Sequence, residues 1–234
     1  MILDYIVTPV KMYWLREEIP IAEDLLSYVP KLTEEFLTYH EDFIEGSFSK
    51  GKPYRNATFD TNKFQTRMDA WKAEGIKYTF EEANIYTDLS KKKADFFPTA
   101  IELTKKYNDH CSISSYSIIE ANSSIVRHTG IENRSREYLR IHIPLIVPEG
   151  DIFFEVEGVE IDWSDIFGFD NQLIHSAHNN SPYRRLVYLI DVRRDFLGIP
   201  LGQSYDPIRE KHIPPFVRGS LPKVLHSCQK EYGA

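Results

Sequence analysis

Cysteine is scarce: Cys111 and Cys228 are the only two in 234 residues. That excludes a disulfide-rich scaffold and any Cys-x-x-Cys metal or redox pair. Two reduced thiols in a cytosolic protein are expected, with one long-range disulfide as the alternative. No stretch approaches the roughly 18 apolar residues of a membrane-spanning helix. The opening MILDYIVTPVKMYWLREEIP lacks a basic region followed by an apolar run, so no signal peptide is expected. Positive charge is in deficit, 28 Lys plus Arg against 35 Asp plus Glu, for a net −7. A chain of that sign is a poor general binder of nucleic acid. There is no P-loop, no dinucleotide fingerprint and no Gly-x-Ser-x-Gly elbow. Repeats and low-complexity tracts are absent too. What remains is ordinary globular composition, 42% hydrophobic and 27% charged, which argues against a disordered chain.

The first 110 residues read as helices and loops. Apolar residues Ile21, Leu25, Leu26, Val29, Leu32, Phe36 and Leu37 recur at helical spacing over 20–39, with a break at Pro30. Residues 46–60 read as a loop, 61–73 as a short helix, and 98–107 as a helix with Pro98 in its first turn. The texture changes near His110. Residues 112–119, 138–147, 152–156, 166–169, 174–178 and 185–192 read as strands, punctuated by turns at Pro148-Glu149-Gly150 and Glu157-Gly158. Short strands at this spacing predict a mainly β fold with flanking helices, a double-sheet jelly roll. The expected layout is an N-terminal helical segment over 1–109, a β core over 110–195, and a Pro-rich tail over 196–234. The tail is expected to end in a short helix over 221–232.

Histidine is unevenly placed. His128, His142, His175 and His178 crowd into the strand-rich half. Neutral imidazole is the commonest transition-metal ligand; the alternative is four hydrogen-bonded core or rim residues placed by chance. Parity bears on the choice. In 138–147, Tyr138, Arg140 and His142 share one face, and Leu139, Ile141, Ile143 and Leu145 the other. If the apolar face packs on flanking structure, Arg140 and His142 point into the barrel, where Arg140 must meet an anion. Arg185 opens a second such strand, on one face with Val187, Leu189 and Asp191. A surface arginine beside Arg184 is its other reading. An inward arginine fork suits a carboxylate.

The pieces YSIIEANSSIVRHTG (116–130), LRIHIPLIVP (139–148), FEVEG (154–158) and FDNQLIHSAHNNSPYRRLVYLIDV (169–192) together resemble the core of the aspartyl/asparaginyl β-hydroxylase family. Two spacings match: Ser117 lies eleven residues before His128, and Arg185 ten after His175. A weaker match reaches upstream through FFPTAIELTKKY (96–107). The resemblance implies a double-stranded β-helix oxygenase dependent on Fe(II), 2-oxoglutarate and O2. It makes His128 and His175 the iron ligands, and Gly130 stands where related oxygenases carry a ligating carboxylate. It gives Ser117, His142 and Arg185 the cosubstrate, with Arg185 on the distal carboxylate, and sets Arg140 against an acidic substrate group. Catalysis is then assigned to His128, His175 and Arg185.

The implied reaction turns 2-oxoglutarate into succinate and CO2 while hydroxylating an unactivated C–H bond. The substrate class is an amino acid, free or as an Asp or Asn side chain in a peptide. HSAHNNS (175–181) resembles the second-His strand of free-proline hydroxylases and favours a small molecule. Neither a nucleic-acid nor a membrane partner is expected, and the expected location is cytoplasmic. Two departures stand out. Three residues more than the family's usual spacing separate His128 from His142, in the loop IENRSREY, and DWSDIFGFD lacks the usual Gly-Glu. His178 fits no ligand position and reads as a polar edge residue or a substrate contact. Gly130 also admits an iron halogenase with chloride in the carboxylate's place. A third reading is a non-catalytic jelly roll binding a small ligand, or zinc through His128, His142 and His175.

Overall fold

The computed structural model describes residues 11–39, 78–79, 97–119, 121–130, 136–204, 206, 208–209, 212–213 and 223–224. Eleven strands appear among them: β1 Tyr13–Leu15, β2 Tyr78–Thr79, β3 Cys111–Ile119, β4 Ser123–His128, β5 Tyr138–Ile146, β6 Ile152–Val156, β7 Val159–Ile161, β8 Phe167–Phe169, β9 His175–Asn179, β10 Arg185–Arg193 and β11 Lys223–Val224. They form two sheets, ordered β1-β8-β5-β10-β3-β2 and β11-β7-β6-β9-β4. From β3 to β10 the chain crosses between the sheets at nearly every turn, staying on one sheet only for the β6–β7 hairpin. Two four-stranded antiparallel layers result, which is a double-stranded β-helix. The extra strands β1, β2 and β11 lie at the sheet edges.

Parity decides which side of each strand is covered. Leu139, Ile141 and Ile143 of β5, with Leu186, Tyr188, Ile190 and Val192 of β10, face outward into a cluster with the helices. Those helices are α1 Ala22–Ser27, α2 Val29–Tyr39 and α3 Pro98–Lys106. Leu25, Leu32, Phe36, Ala100 and Leu103 supply their buried face. The opposite residues of the same strands, Val187 and Leu189 among them, face the second sheet in a separate cluster with Phe154, Phe167 and Phe169.

α3 begins at Pro98, which needs no amide partner. Phe97 provides no side-chain cap, so the orphan donors are met from α2. The buried Glu35 carboxylate accepts from Thr99 N at 2.7 Å and Ala100 N at 2.9 Å. It also takes the Tyr116 hydroxyl at 2.6 Å, tying both helices to β3.

Two expectations change. The break in 20–39 falls at Tyr28, and Pro30 sits in the first turn of α2, where proline costs no hydrogen bond. Within the helix expected over 221–232, Lys223–Val224 is extended and pairs in parallel with Glu160 and Ile161. Residues 46–60 and 61–73, most of IENRSREY and the rest of the tail lie outside the described residues.

Met12 and Gln203, far apart in sequence, meet at Asp170. Its amide donates to Met12 O at 3.1 Å. Its carboxylate accepts from Gln203 N and faces Arg194 Nη2 at 3.5 Å. Gly202 lies so close that a Cβ there would stand 2.6 Å from Asp170 Oδ2.

Candidate active site

Between the sheets lies a cavity with two unlike walls. Ser117, His128, Arg140, His142, Trp163 and His175 give it polarity. Ile125, Phe154, Phe169, Ala177, Val187 and Leu189 make the remainder apolar. β3, β4, β5, β6, β8, β9 and β10 each contribute, with Trp163 from the segment after β7, so chemistry-bearing residues spread over the sequence meet in one space.

His128 closes β4 and His175 opens β9, and the two are direct cross-strand partners. Their ring centroids are 4.3 Å apart. His175 Nδ1 lies 2.8 Å from the Leu173 carbonyl. A carbonyl only accepts, so Nδ1 carries the proton and Nε2 keeps its lone pair for a metal. Burial first, then the neighbouring His128, holds the His175 pKa well below its ordinary value. The ring is therefore neutral, the form that ligates. Among the described residues, no group of three or more His, Cys, Asp or Glu side chains converges on one point. The three-histidine zinc cage thus does not form.

Gly130 has no room for a side chain. Its amide donates to Asn171 O at 2.7 Å. A Cβ at Gly130 would lie 1.7 Å from Asn171 Nδ2 and 2.2 Å from its Cγ. The Asn171 side chain takes the space that any longer residue would need. Sequence reading quoted Asn171 within FDN but gave it no role; the contact is between residues 41 positions apart.

His142 is walled by aromatic rings, with Phe154, Phe167 and Phe169 centred 4.9, 5.0 and 5.2 Å away. Burial, then the charges of Arg185 and Arg140, pushes its pKa well down. The Trp163 indole N–H donates to its Nδ1 at 3.1 Å. Indole donates only, so the neutral ring carries its proton on Nε2.

Arg185 is wholly buried, which removes the surface reading. Its Nη2 donates to the Trp163 carbonyl, and its guanidinium carbon sits 3.8 Å from the Trp163 ring centre. Nε and Nη1 are buried without a hydrogen-bond partner. Burial pulls its pKa well down, opposed by Asp162. A buried guanidinium with orphaned N–H groups is costly unless an anion meets it.

Arg140 finds its anion within the chain. Nε and Nη2 grip Asp191 at 2.7 and 2.9 Å across a register pair of β5 and β10. Asp191 is thus the anion that an inward arginine requires, and Arg140 still lines the cavity. His178 lies on the other face of β9 from His175 and Ala177, paired with both β4 and β6 and stacked on Phe153 with centroids 4.3 Å apart. Trp163 went unnoticed in the sequence because DWSDIFGFD stood out for what it lacks.

The family profile described as Aspartyl/Asparaginyl beta-hydroxylase matches residues 29–195. The chain belongs to that family. A search of curated proteins finds no match. Several solved structures are similar at low identity. AviO1 from Streptomyces viridochromogenes Tue57 is 13% identical with a TM-score of 0.38, over 79% of this chain and 90% of its own. A Pseudomonas putida prolyl-4-hydroxylase is 10% identical, with TM-score 0.31 and coverage of 56% and 84%. A Trichoplax adhaerens prolyl hydroxylase in complex with a hypoxia inducible factor peptide is 9% identical, with TM-score 0.34 and coverage of 74% and 92%. At these scores the likeness adds nothing to the fold assignment, which rests on the strand pairings above. No described helix is long and apolar enough to cross a membrane.

Proposed function

We propose that this β-hydroxylase family member is an Fe(II)- and 2-oxoglutarate-dependent dioxygenase that hydroxylates an unactivated C–H bond of an amino acid. The amino acid is free, or is an Asp or Asn side chain in a peptide. The observation that carries the reading is Arg185: a buried cation with orphaned N–H groups, in the same core as the cross-strand partners His128 and His175. That combination fits a dicarboxylate lying between a metal and a guanidinium.

The residues present suit both groups. His128 and His175 would hold the iron, His175 through the Nε2 lone pair that its bond to Leu173 leaves free. Arg185 would take the distal carboxylate, with Ser117 on the neighbouring strand. His142 offers an Nε2–H donor. Iron, cosubstrate and O2 would together supply the oxidation, one oxygen atom going to succinate and the other to the hydroxylated product, with CO2 released. The chain's part is to hold, orient and exclude water. The apolar wall of Ile125, Phe169, Ala177 and Leu189 does the last. Arg140, locked by Asp191, presents a fixed guanidinium beside the substrate. A halide in the carboxylate's place gains no support, because Asn171 packs against Gly130.

Adding Fe(II) and then 2-oxoglutarate anaerobically tests this. A weak visible charge-transfer band is expected. A folded, metal-loaded protein without the band overturns the reading. Succinate release on a panel of amino acids and Asp or Asn peptides then identifies the substrate class, and product mass with and without chloride separates hydroxylation from halogenation.

A further inference from the structure

Trp163 touches two of the three polar residues that the oxygenase reading gives to the cosubstrate, Arg185 and His142, and it does so by three separate contacts. Its ring lies on the Arg185 guanidinium at 3.8 Å. Its carbonyl accepts from Arg185 Nη2. Its indole N–H donates to His142 Nδ1 at 3.1 Å. Trp163 lines the cavity.

Each contact has a directional consequence. The guanidinium carbon sits over the indole ring at 3.8 Å, a contact that restrains the group while its Nε and Nη1 have no hydrogen-bond partner and are open to a carboxylate. The carbonyl contact pins one end of the fork, so the group cannot rotate. The indole bond decides which His142 nitrogen holds the proton, turning the ring into a donor at Nε2. A leucine or phenylalanine at 163 would keep the cavity apolar but could not set the tautomer. Trp163 is itself held: its ring packs on Phe154 with centroids 5.4 Å apart, and it is 1% exposed.

We propose that Trp163 is the positioning residue of the anion subsite, orienting Arg185 by stacking and His142 by hydrogen bonding so that both meet a dicarboxylate. The proposal rests on the oxygenase reading and adds a residue to it. Trp163 acts through its two neighbours and needs no contact with the metal.

Two variants and two readouts test it. Fe(II) and 2-oxoglutarate affinities are measured anaerobically by titration for the wild type, W163A and W163F. W163A is expected to weaken 2-oxoglutarate about 30-fold, the size of a desolvated cation–π contact, with Fe(II) affinity unchanged. W163F keeps a stacking ring and is expected to recover most of that loss. W163A binding 2-oxoglutarate as the wild type does would overturn the proposal while the oxygenase reading stood. Absence of any cosubstrate complex in the wild type overturns that reading and, with it, the cosubstrate role of Trp163. The second readout is ¹⁵N NMR of the His142 ring without metal or cosubstrate. A neutral Nε2–H tautomer is expected in the wild type, and a mixture in W163F. An unchanged tautomer in W163F would overturn the hydrogen-bonding half. Should W163A fail to fold, W163F and the NMR readout still decide.

Discussion

Placing a methyl group at Gly130 tests its close packing against Asn171. In Gly130→Ala the new carbon would lie 1.7 Å from Asn171 Nδ2, far inside contact distance. The backbone bond from Gly130 N to Asn171 O, at 2.7 Å, keeps the two chains close, so the Asn171 side chain must yield. Overpacking a filled site costs about 1–3 kcal/mol. With Asn171 only 4% exposed and little room to turn, about 2 kcal/mol is expected. In a chain of this size that lowers Tm by about 4–8 °C. Asn171 lies four residues before His175, so a displaced loop also shifts a ligand. Fe(II) affinity is expected to fall about 10-fold or more, as when a ligand's supporting contacts are lost. The assay is a double-mutant cycle with Asn171→Gly, read by denaturant midpoint and Fe(II) titration. Removing the amide opens the space, so the pair is expected to couple by at least about 1 kcal/mol. Additive effects, or an alanine tolerated at no cost, would refute the argument.

Arg185→Met is expected to raise the 2-oxoglutarate requirement about 100-fold while leaving thermal stability level or higher, since a buried guanidinium with orphaned donors is a net cost; a large fall in Tm with unchanged cosubstrate dependence would contradict both claims. Glu35→Ala removes an acceptor shared by Thr99 N, Ala100 N and Tyr116 Oη; a loss of about 3 kcal/mol by urea unfolding is expected, with Fe(II) affinity unaffected. Asp191→Asn unbalances Arg140 and is expected to cost about 3 kcal/mol or more, and Arg140→Met on that background to recover much of it. His142 is held below its ordinary pKa, so the unfolded chain binds its proton first as pH falls. Stability is therefore full above the unfolded value of about 6.5 and declines below it, by up to about 1.4 kcal/mol per pH unit from this residue. His142→Asn is expected to flatten that limb of the urea-midpoint profile.

How much was legible follows from how local each signal is. The alternation of β5 and β10 is written in neighbouring residues, so parity alone turned Arg140 and His142 inward and gave Leu139, Ile141 and Ile143 to the helices. α3 was visible through Pro98. Arg140 was read as needing an anion, and Asp191 was placed on the inward face, yet the two were not joined. Register between strands 51 positions apart is set by folding, not by either segment. Trp163 and Asn171 carry no periodicity or spacing of their own, and their roles exist only once β4, β5 and β10 have closed around them. Glu35 capping a helix 64 residues downstream was hidden for the same reason.

Asp170 draws out a consequence for biosynthesis. It opens the segment that leads to His175, and it is anchored by Met12, near one end of the described chain, and by Gln203, near the other. On the ribosome, residue 203 emerges after every iron-ligand candidate has been made. The nascent sheets can pair before then, but the segment bearing Asn171 and leading to His175 gains its last anchor only when the tail arrives. Under the proposed function, the approach to the iron ligand His175 is thus completed by sequence made after it.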